Sequence, residues 1–446
     1  MTGPDEFANL QQALALHGRG ALEQAESAYR AILDGNPEQH EAMHCLGVLL
    51  HQKGDSRDGL ALILLALRSQ PSDASRHNDL GNVLAQMGDL AGASSAFRRA
   101  TELGPGQVTH WNNLGSMLQK LADPHGAESA FRNALAIDPQ FVPALTNLAV
   151  LLAQAGRDEE SSLLHCRAFV LPPLEGKPHQ MLAIAHYRLG QAEQAAQCYR
   201  AWLAEEPDNA IARHHLAASS GQDVPARASN RYLSTLFDSM AEEFDHKLVV
   251  GLSYQGPAII GALLQQCLAP GAKLRILDGG CGTGLCAPVL APFARRLTGV
   301  DLSEAMLGKA RARAAYDELI CMELTAFLQG GESAYDLIVM ADTLIYFGEL
   351  KPVLTAAARC LGPGGMIAFT CELAPVGAGE PGYLLKPSGR YSHDHDYLAR
   401  CLDEADFQVL RSDSVVVRTE FCRPEHAVAV FAVAMAPGNG HRRSHS

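Results

Sequence analysis

Pro37, Pro71, Pro105, Pro139, Pro173 and Pro207 follow one another at a constant interval of 34 residues. Three more series keep the same step in register with the prolines. They are Gly20, Gly54, Gly88, Ala122, Gly156 and Gly190; Ala25, Gly59, Ala93, Ala127, Ser161 and Ala195; and Tyr29, Ile63, Phe97, Phe131, His165 and Tyr199. A period of this kind confines the first half to stacked copies of one small unit. Each series has a physical part in that unit. The glycine marks a turn between two helices, where the backbone needs freedom, and the proline ends the unit because it cannot continue a helix. The small residue admits a close neighbour, and the large residue four positions on lies one turn along the same face. Such a hairpin hides its apolar face only by stacking, so six copies build one all-α solenoid with a concave inner face. Residues Ala210 to Ser220 read as one more first helix that caps the array.

Composition agrees with helix packed on helix. Only 19% of residues are charged and 6% are aromatic, against about 25% charged in a typical soluble domain. The net charge of −13 leaves no basic excess to displace counterions from a nucleic acid, so no nucleic-acid partner is expected. Eleven cysteines without a CxxC pair point to a reducing, cytoplasmic setting rather than to a disulfide framework or a zinc site. Met1 to Glu6 has no signal-peptide character, and the longest strongly apolar run, Leu60 to Leu67, is too short to span a membrane.

The best copies also carry Leu46-Gly47, Leu80-Gly81 and Leu114-Gly115, with Trp111 three positions before the last pair. Together with the spacing, this resembles the tetratricopeptide repeat. Equivalent first-helix positions hold Asp79, Asn113 and Asn147, beside Asn78, Asn82 and Asn112. The stretches His-Asn-Asp-Leu-Gly, Trp-Asn-Asn-Leu-Gly and Leu-Thr-Asn-Leu-Ala resemble repeats of the O-linked N-acetylglucosamine transferase superhelix, in which an asparagine ladder holds the main chain of an extended peptide. An amide both donates and accepts, so the resemblance implies a protein or peptide in the concave groove. The alternative is that these asparagines are a helix-start habit facing solvent.

The periodicity changes after a linker at 222–230. Helices are expected over Arg231 to Met240 and Gln255 to Leu268. Short apolar strands then alternate with helical stretches: Leu274 to Leu277, Leu297 to Val300, Leu319 to Met322, Leu337 to Met340 and Met366 to Thr370. That alternation predicts an α/β doubly wound parallel sheet with its ligand at the carboxyl ends of the strands. Phe407 to Leu410, Val415 to Val417 and Ala427 to Ala434 read as two or three closing strands. The first strand runs into Asp278-Gly-Gly280-Cys281-Gly282-Thr-Gly284, the second ends at Asp301 with Ser303 placed to cap the next helix, and Leu361-Gly-Pro-Gly-Gly365 precedes the fifth.

These motifs together resemble the Rossmann-like class I S-adenosylmethionine-dependent methyltransferases, over roughly Asn230 to Ala434. The expected division is a repeat solenoid at 1–221, a linker at 222–230, the methyltransferase domain at 231–436 and a disordered tail from 437. The resemblance implies that Gly280, Cys281, Gly282 and Gly284 cradle the methionine part of the cofactor and that Asp278 meets its amino end. It places the ribose on Asp301, the adenine between Leu302 and Met306 with Glu323 at its amino group, and Asp342 and Tyr346 on the floor of the transfer site. The segment around Phe237 and Phe244 resembles the lead helix that folds over the cofactor in small-molecule methyltransferases; its apolar residues also fit an ordinary amphipathic helix.

Ser388-Gly-Arg390-Tyr391-Ser-His393 belongs to an arrangement similar to predicted bacterial methyltransferases that carry tetratricopeptide repeats. His393 is the candidate general base, since histidine titrates near neutrality; the alternative is a cap for the following helix. Arg390 is the candidate for orienting a carboxylate or phosphate, and Tyr391 or Tyr346 for flanking the acceptor. The run His393-Asp394-His395-Asp396 would splay its side chains along a strand, so no metal is expected. The function expected is an S-adenosylmethionine-dependent methyltransferase whose repeats recruit a partner or substrate. The competing reading is a repeat scaffold with an inactive methyltransferase-like domain, and a nicotinamide-dependent oxidoreductase is disfavoured by the GxGxG spacing.

Overall fold

A computed structural model describes residues 3–331, 334–374, 381–421 and 423–435. The tail expected to be disordered from residue 437 lies outside the described residues. The chain divides into two compact units, Met1–Glu175 and Gly176–Ser446. Among the described residues no single helix is long and apolar enough to cross a membrane.

The first unit is built of α1 (Gly3–Gly18), α2 (Leu22–Gly35), α3 (His40–Gln52), α4 (Ser56–Ser69), α5 (Ala74–Gln86), α6 (Leu90–Leu103), α7 (Val108–Lys120), α8 (Pro124–Ile137), α9 (Val142–Gln154) and α10 (Asp158–Phe169). The series seen in the sequence turn out to be opposite sides of one contact. A Cβ on Gly81 would lie 2.6 Å from the Phe97 ring, and one on Gly115 equally close to Phe131. Both rings are buried. The glycine of each Leu-Gly pair is thus the notch that receives the large residue of the following helix.

The turn glycines take the left-handed backbone expected of them: Gly20, Gly54 and Gly88 have φ of 75°, 100° and 87°. Ala122 holds the same place at φ 58°, where a Cβ costs about 1–2 kcal/mol. Glycine also gives the unfolded chain more freedom, worth about 0.4–1 kcal/mol. Ala122→Gly should therefore stabilise the first unit by about 0.5–1 kcal/mol, read as a higher midpoint in thermal melting; a lower midpoint would show that this turn is relaxed.

Asn113 Nδ2 donates to Asn78 Oδ1 at 2.9 Å, Asn147 Nδ2 to Asn112 Oδ1 at 3.0 Å, and His44 Nε2 meets Asp79 at 2.9 Å. The asparagines tie each first helix to the next. Part of the capacity that a peptide groove would need is spent inside the array.

The second unit opens with α11 (His179–Arg188), α12 (Ala192–Glu205) and α13 (Ala210–Ser220). These helices continue the 34-residue step, and α13 packs Ala217 and Ala218 against Leu385 and Tyr391. His214 Nε2 bonds the Gly389 carbonyl at 2.9 Å, and its ring stacks on Tyr232 at 3.9 Å. The stretch expected as a linker is stitched down as well. Tyr391 Oη donates to the Pro225 carbonyl at 2.7 Å, the Gly348 N–H to that of Ala226 at 2.8 Å, and the Ala228 N–H to that of Tyr346 at 2.9 Å.

The remaining elements are α14 (Asn230–Met240), α15 (Phe244–His246), a π-helical turn (Lys247–Gly251), α16 (Gly256–Cys267), β1 (Leu274–Gly279), α17 (Ala287–Leu290), β2 (Ala294–Asp301), α18 (Glu304–Ala312), β3 (Glu318–Cys321), α19 (Leu324–Gln329), β4 (Tyr335–Met340), α20 (Lys351–Cys360), β5 (Leu361–Glu372), β6 (Tyr383–Leu385), β7 (Tyr391–His393), α21 (His395–Glu404), β8 (Phe407–Glu420) and β9 (Arg423–Ala434). Among the described residues seven strands form one sheet in the order β3-β2-β1-β4-β5-β9-β8. The first five are parallel, β9 runs antiparallel to β5, and β8 antiparallel to β9. The apolar strands β1, β4 and β5 run through the core because helices cover both faces of a parallel sheet. Of the two or three closing strands read from the sequence there are two, since 407–410 and 415–417 lie on one strand, β8, with register shifts at Val409/Arg411 and Val416/Arg418. The second shift leaves Val417 and Arg418 both buried, which simple alternation forbids and a bulge permits.

Candidate active site

A cavity of about 310 Å³ lies at the carboxyl ends of β1, β2 and β4, at the small end of the roughly 300–1,000 Å³ typical of ligand pockets. Its wall on the first side is the glycine loop. The N–H groups of Gly280 and Cys281 both donate to the Val300 carbonyl, at 2.7 and 3.0 Å, which folds the loop over the end of β2. Gly282 N–H donates to Asp301 Oδ2 at 2.8 Å and Ser303 N–H to Asp301 Oδ1 at 2.9 Å. Ser303 also caps α18 through the Met306 N–H. Asp278 is 1% exposed, and burial pushes its carboxyl up to about 7 although the Tyr316 hydroxyl donates to it at 2.7 Å.

Asp278, Gly280, Cys281, Gly282 and Asp301 line this cavity, as do Leu302, Met306, Glu323, Asp342 and Phe244. Glu323 serves two ends, since its carboxylate also caps α19 by accepting from the N–H groups of Thr325 and Ala326 at 3.0 and 2.9 Å. Gly284 is a correction. It is not among the lining residues, and a Cβ there would meet Tyr316 and Arg313 at 3.0 and 3.2 Å. Its small size serves packing behind the loop. Gly280 is likewise constrained by protein, because a Cβ would strike Thr343 at 2.5 Å.

The roof comes from α14 and α15. Phe237 meets Phe244 and Tyr346 edge-on, at ring centroid distances of 6.0 and 5.5 Å. The acids between the aromatics hold the roof in place, a role the sequence reading missed. Asp238 accepts from Ser303 Oγ and Asp245 from Thr283 Oγ1, each at 2.5 Å, while Glu242 pairs with Lys309 at 2.6 Å.

The charged groups in the rest of the cavity are mostly prepaired. Asp342 sits at φ 58° just past β4, a strained setting typical of functional positions. Its Oδ2 accepts from Arg418 Nη1 at 2.5 Å, while Oδ1 is buried without a hydrogen-bond partner among the described residues. Arg418, 2% exposed, also pairs with Glu372, itself 1% exposed. Arg390 reaches Glu372 at 3.1 Å and also pairs with Glu420. Lys386 contacts Glu372 at 3.0 Å and Glu425 at 2.5 Å. Arg390 lines the cavity as expected, yet its charge is already matched by carboxylates. Burial pushes the Tyr346 hydroxyl up to about 12.

His393 and Tyr391 are corrected by the structure. Both are fully buried in β7, outside the cavity. His393 Nε2 faces the carbonyls of Phe347 and Gly348 at 2.7 and 3.2 Å, and Nδ1 faces the Cys371 thiol at 3.1 Å. Carbonyls only accept, so Nε2 carries the hydrogen and Nδ1 receives that of the thiol. Burial lowers the ring's pKa to about 4. No nitrogen is left to take a substrate proton, and the α21 cap is Asp394 instead. Tyr391 spends its hydroxyl on Pro225.

A family model described as a methyltransferase domain matches residues 277–369, and tetratricopeptide repeat models match residues 10–74, 78–120 and 110–141. Curated relatives include the ubiquinone biosynthesis O-methyltransferase of Thiobacillus denitrificans, 33% identical over 141 residues that cover 28% of this chain and 59% of that one. The demethylmenaquinone methyltransferase of Tropheryma whipplei is 31% identical over 140 residues, 31% of this chain and 58% of that one. The chain thus spans little more than half the length of these relatives. Among solved structures, the magnesium protoporphyrin IX methyltransferase of Synechocystis, with bound SAM, is 19% identical over 46% of this chain and 97% of that one, with a TM-score of 0.37. The protein MamA is 19% identical over 35% of this chain and 91% of that one, at a TM-score of 0.33. On these matches, the chain carries tetratricopeptide repeats followed by a methyltransferase domain.

Proposed function

We propose that the second unit transfers a methyl group from S-adenosylmethionine to an acceptor oxygen, and that the repeats recruit the protein or peptide it serves. The carrying observation is the pair of carboxylates, buried Asp278 and half-buried Asp301, at neighbouring strand ends around the glycine loop. The residues suit the cofactor. Asp301 accepts two backbone N–H groups and keeps lone pairs for two ribose hydroxyls. On its Cβ side Gly282 has no atom within 4 Å, which leaves room beside the loop. Leu302 and Met306 offer apolar faces to a purine, and Asp278 offers a carboxylate to an ammonium. When bound, the cofactor supplies a methyl carbon already activated by a sulfonium. The chain's own work is to orient donor and acceptor and to exclude water beneath Phe237, Met240 and Phe244. The oxygen acceptor is favoured by the relatives named as O-methyltransferases. A scaffold with an inactive domain is disfavoured, because a remnant needs neither Asp278 nor Asp301.

Calorimetric titration with S-adenosylmethionine tests this reading, and absence of binding would sink it. The titration should also depend on pH. A carboxyl with a raised pKa costs the empty protein stability as pH climbs from the usual carboxylate range through about 7. The ligand's ammonium needs that carboxyl ionised. Affinity should therefore rise about tenfold from pH 6 to pH 8, since a group one unit below its pKa is roughly one-tenth ionised. A flat profile would mean that Asp278 does not meet the ammonium.

A further inference from the structure

His393, sealed in the core, falls away as the group that receives the acceptor's proton. We propose that His215, on α13, is the general base: its Nε2 takes the proton of the acceptor hydroxyl as that oxygen bonds to the methyl carbon. The proposal rests on the methyltransferase reading above.

Four observations carry it. His215 lines the cavity. Its Nδ1 faces the Pro387 carbonyl at 3.2 Å, and a carbonyl can only accept, so Nδ1 holds the ring hydrogen and Nε2 is a bare lone pair. Among the described residues Nε2 has no hydrogen-bond partner, whereas Nε2 of His214 and of His393 is held by backbone carbonyls. The ring is also fixed in place, stacked on Tyr199 at 5.5 Å and 17° and edge-on to Tyr232 at 5.9 Å. A base held in one tautomer and one orientation spends no free energy on finding either.

Asp342 is the rival in the same cavity: its Oδ2 is engaged by Arg418, whereas its Oδ1 is buried without a hydrogen-bond partner among the described residues, so the spectra and the His215→Gln rate below decide between the two. Burial, with His214 beside it, brings the His215 pKa down to about 4, so the ring is neutral near pH 7. That is no obstacle to the step. The hydroxyl oxygen uses a lone pair to form the bond to the methyl carbon, and the electrons of the carbon–sulfur bond stay on sulfur. An oxygen carrying three groups is far more acidic than an imidazolium, so its O–H proton passes to Nε2. The proton leaves to water when the methyl ether departs.

The test uses the full chain with catechol as the probe. S-adenosylhomocysteine affinity is measured first by calorimetry, and its absence would overturn the methyltransferase reading itself. Nitrogen-15 spectra of histidine-labelled protein should then show His215 in the Nδ1–H form. Adding catechol to the S-adenosylhomocysteine complex should move the His215 Nε2 resonance. Methyl transfer to catechol should fall about 10²–10⁴-fold in His215→Gln, with cofactor affinity kept within about twofold as a check on folding. If cofactor binds but His215 is the Nε2–H tautomer, or Nε2 ignores catechol, the base assignment is wrong. Turnover by His215→Gln at the unsubstituted rate would also refute it. The spectra need no variant, so a misfolded substitution would not blunt the test.

Discussion

Asp301→Ala should weaken S-adenosylmethionine binding by at least about 100-fold. Two hydroxyl-to-carboxylate hydrogen bonds are lost from the ligand, each worth about 1.5–3 kcal/mol, and tenfold in affinity is about 1.4 kcal/mol. The substitution also orphans the Gly282 and Ser303 N–H groups that Asp301 accepts at 2.8 and 2.9 Å. The glycine loop should loosen in addition to losing its ligand contact. Asp301→Asn separates the two effects, because one amide oxygen can still accept while the other side now donates. Its affinity should fall between those of the unsubstituted chain and Asp301→Ala. Calorimetry reads the affinities, and a thermal melt without ligand reads the loop. Equal affinity in all three proteins would mean that the ribose lies elsewhere.

Asp301 was legible because its cues are local. A strand, an acid at its end and a capping serine fall within one short stretch, as do β1, Asp278 and the glycine loop. The repeat period was legible for a related reason, since the Gly81–Phe97 notch recurs at Gly115–Phe131. His393 misled because its type, a histidine that titrates near neutrality, suggested a base, and nothing in Gly-Arg-Tyr-Ser-His marks it as buried. Its partner strand, Tyr383–Leu385, which pairs Tyr383 with His393, carries no sign of that pairing. His215 was missed for the opposite reason. It sits in a helix with an ordinary repeat pattern, and its tautomer depends on Pro387, 172 residues away. Arg418 was hidden by the bulge in β8. Period-two alternation turns one of Val417 and Arg418 outward, and no single-strand pattern announces that both are inside.

Arg418 therefore gives the sharpest test of how the site is held. Arg418→Met keeps most of the side-chain volume but strands the Asp342 carboxylate and takes one of three cations from Glu372, in a place where Arg418 is 2% and Glu372 1% exposed. Removing one partner of a buried ion pair costs about 3–5 kcal/mol, chiefly because the charge left behind has lost both water and partner. The second unit should lose that much in urea unfolding. A Trp111→Phe background leaves Trp202 on α12 as the reporter for that unit. If stranded charge is the cause, adding Asp342→Asn to Arg418→Met should restore part of the loss, although Asp342→Asn alone is destabilising because it takes that partner from the buried Arg418. A positive coupling of this sign identifies charge pairing. Strictly additive losses would instead assign the role of Arg418 to packing, and the polar wall of the cavity would then owe its geometry to the bulge alone.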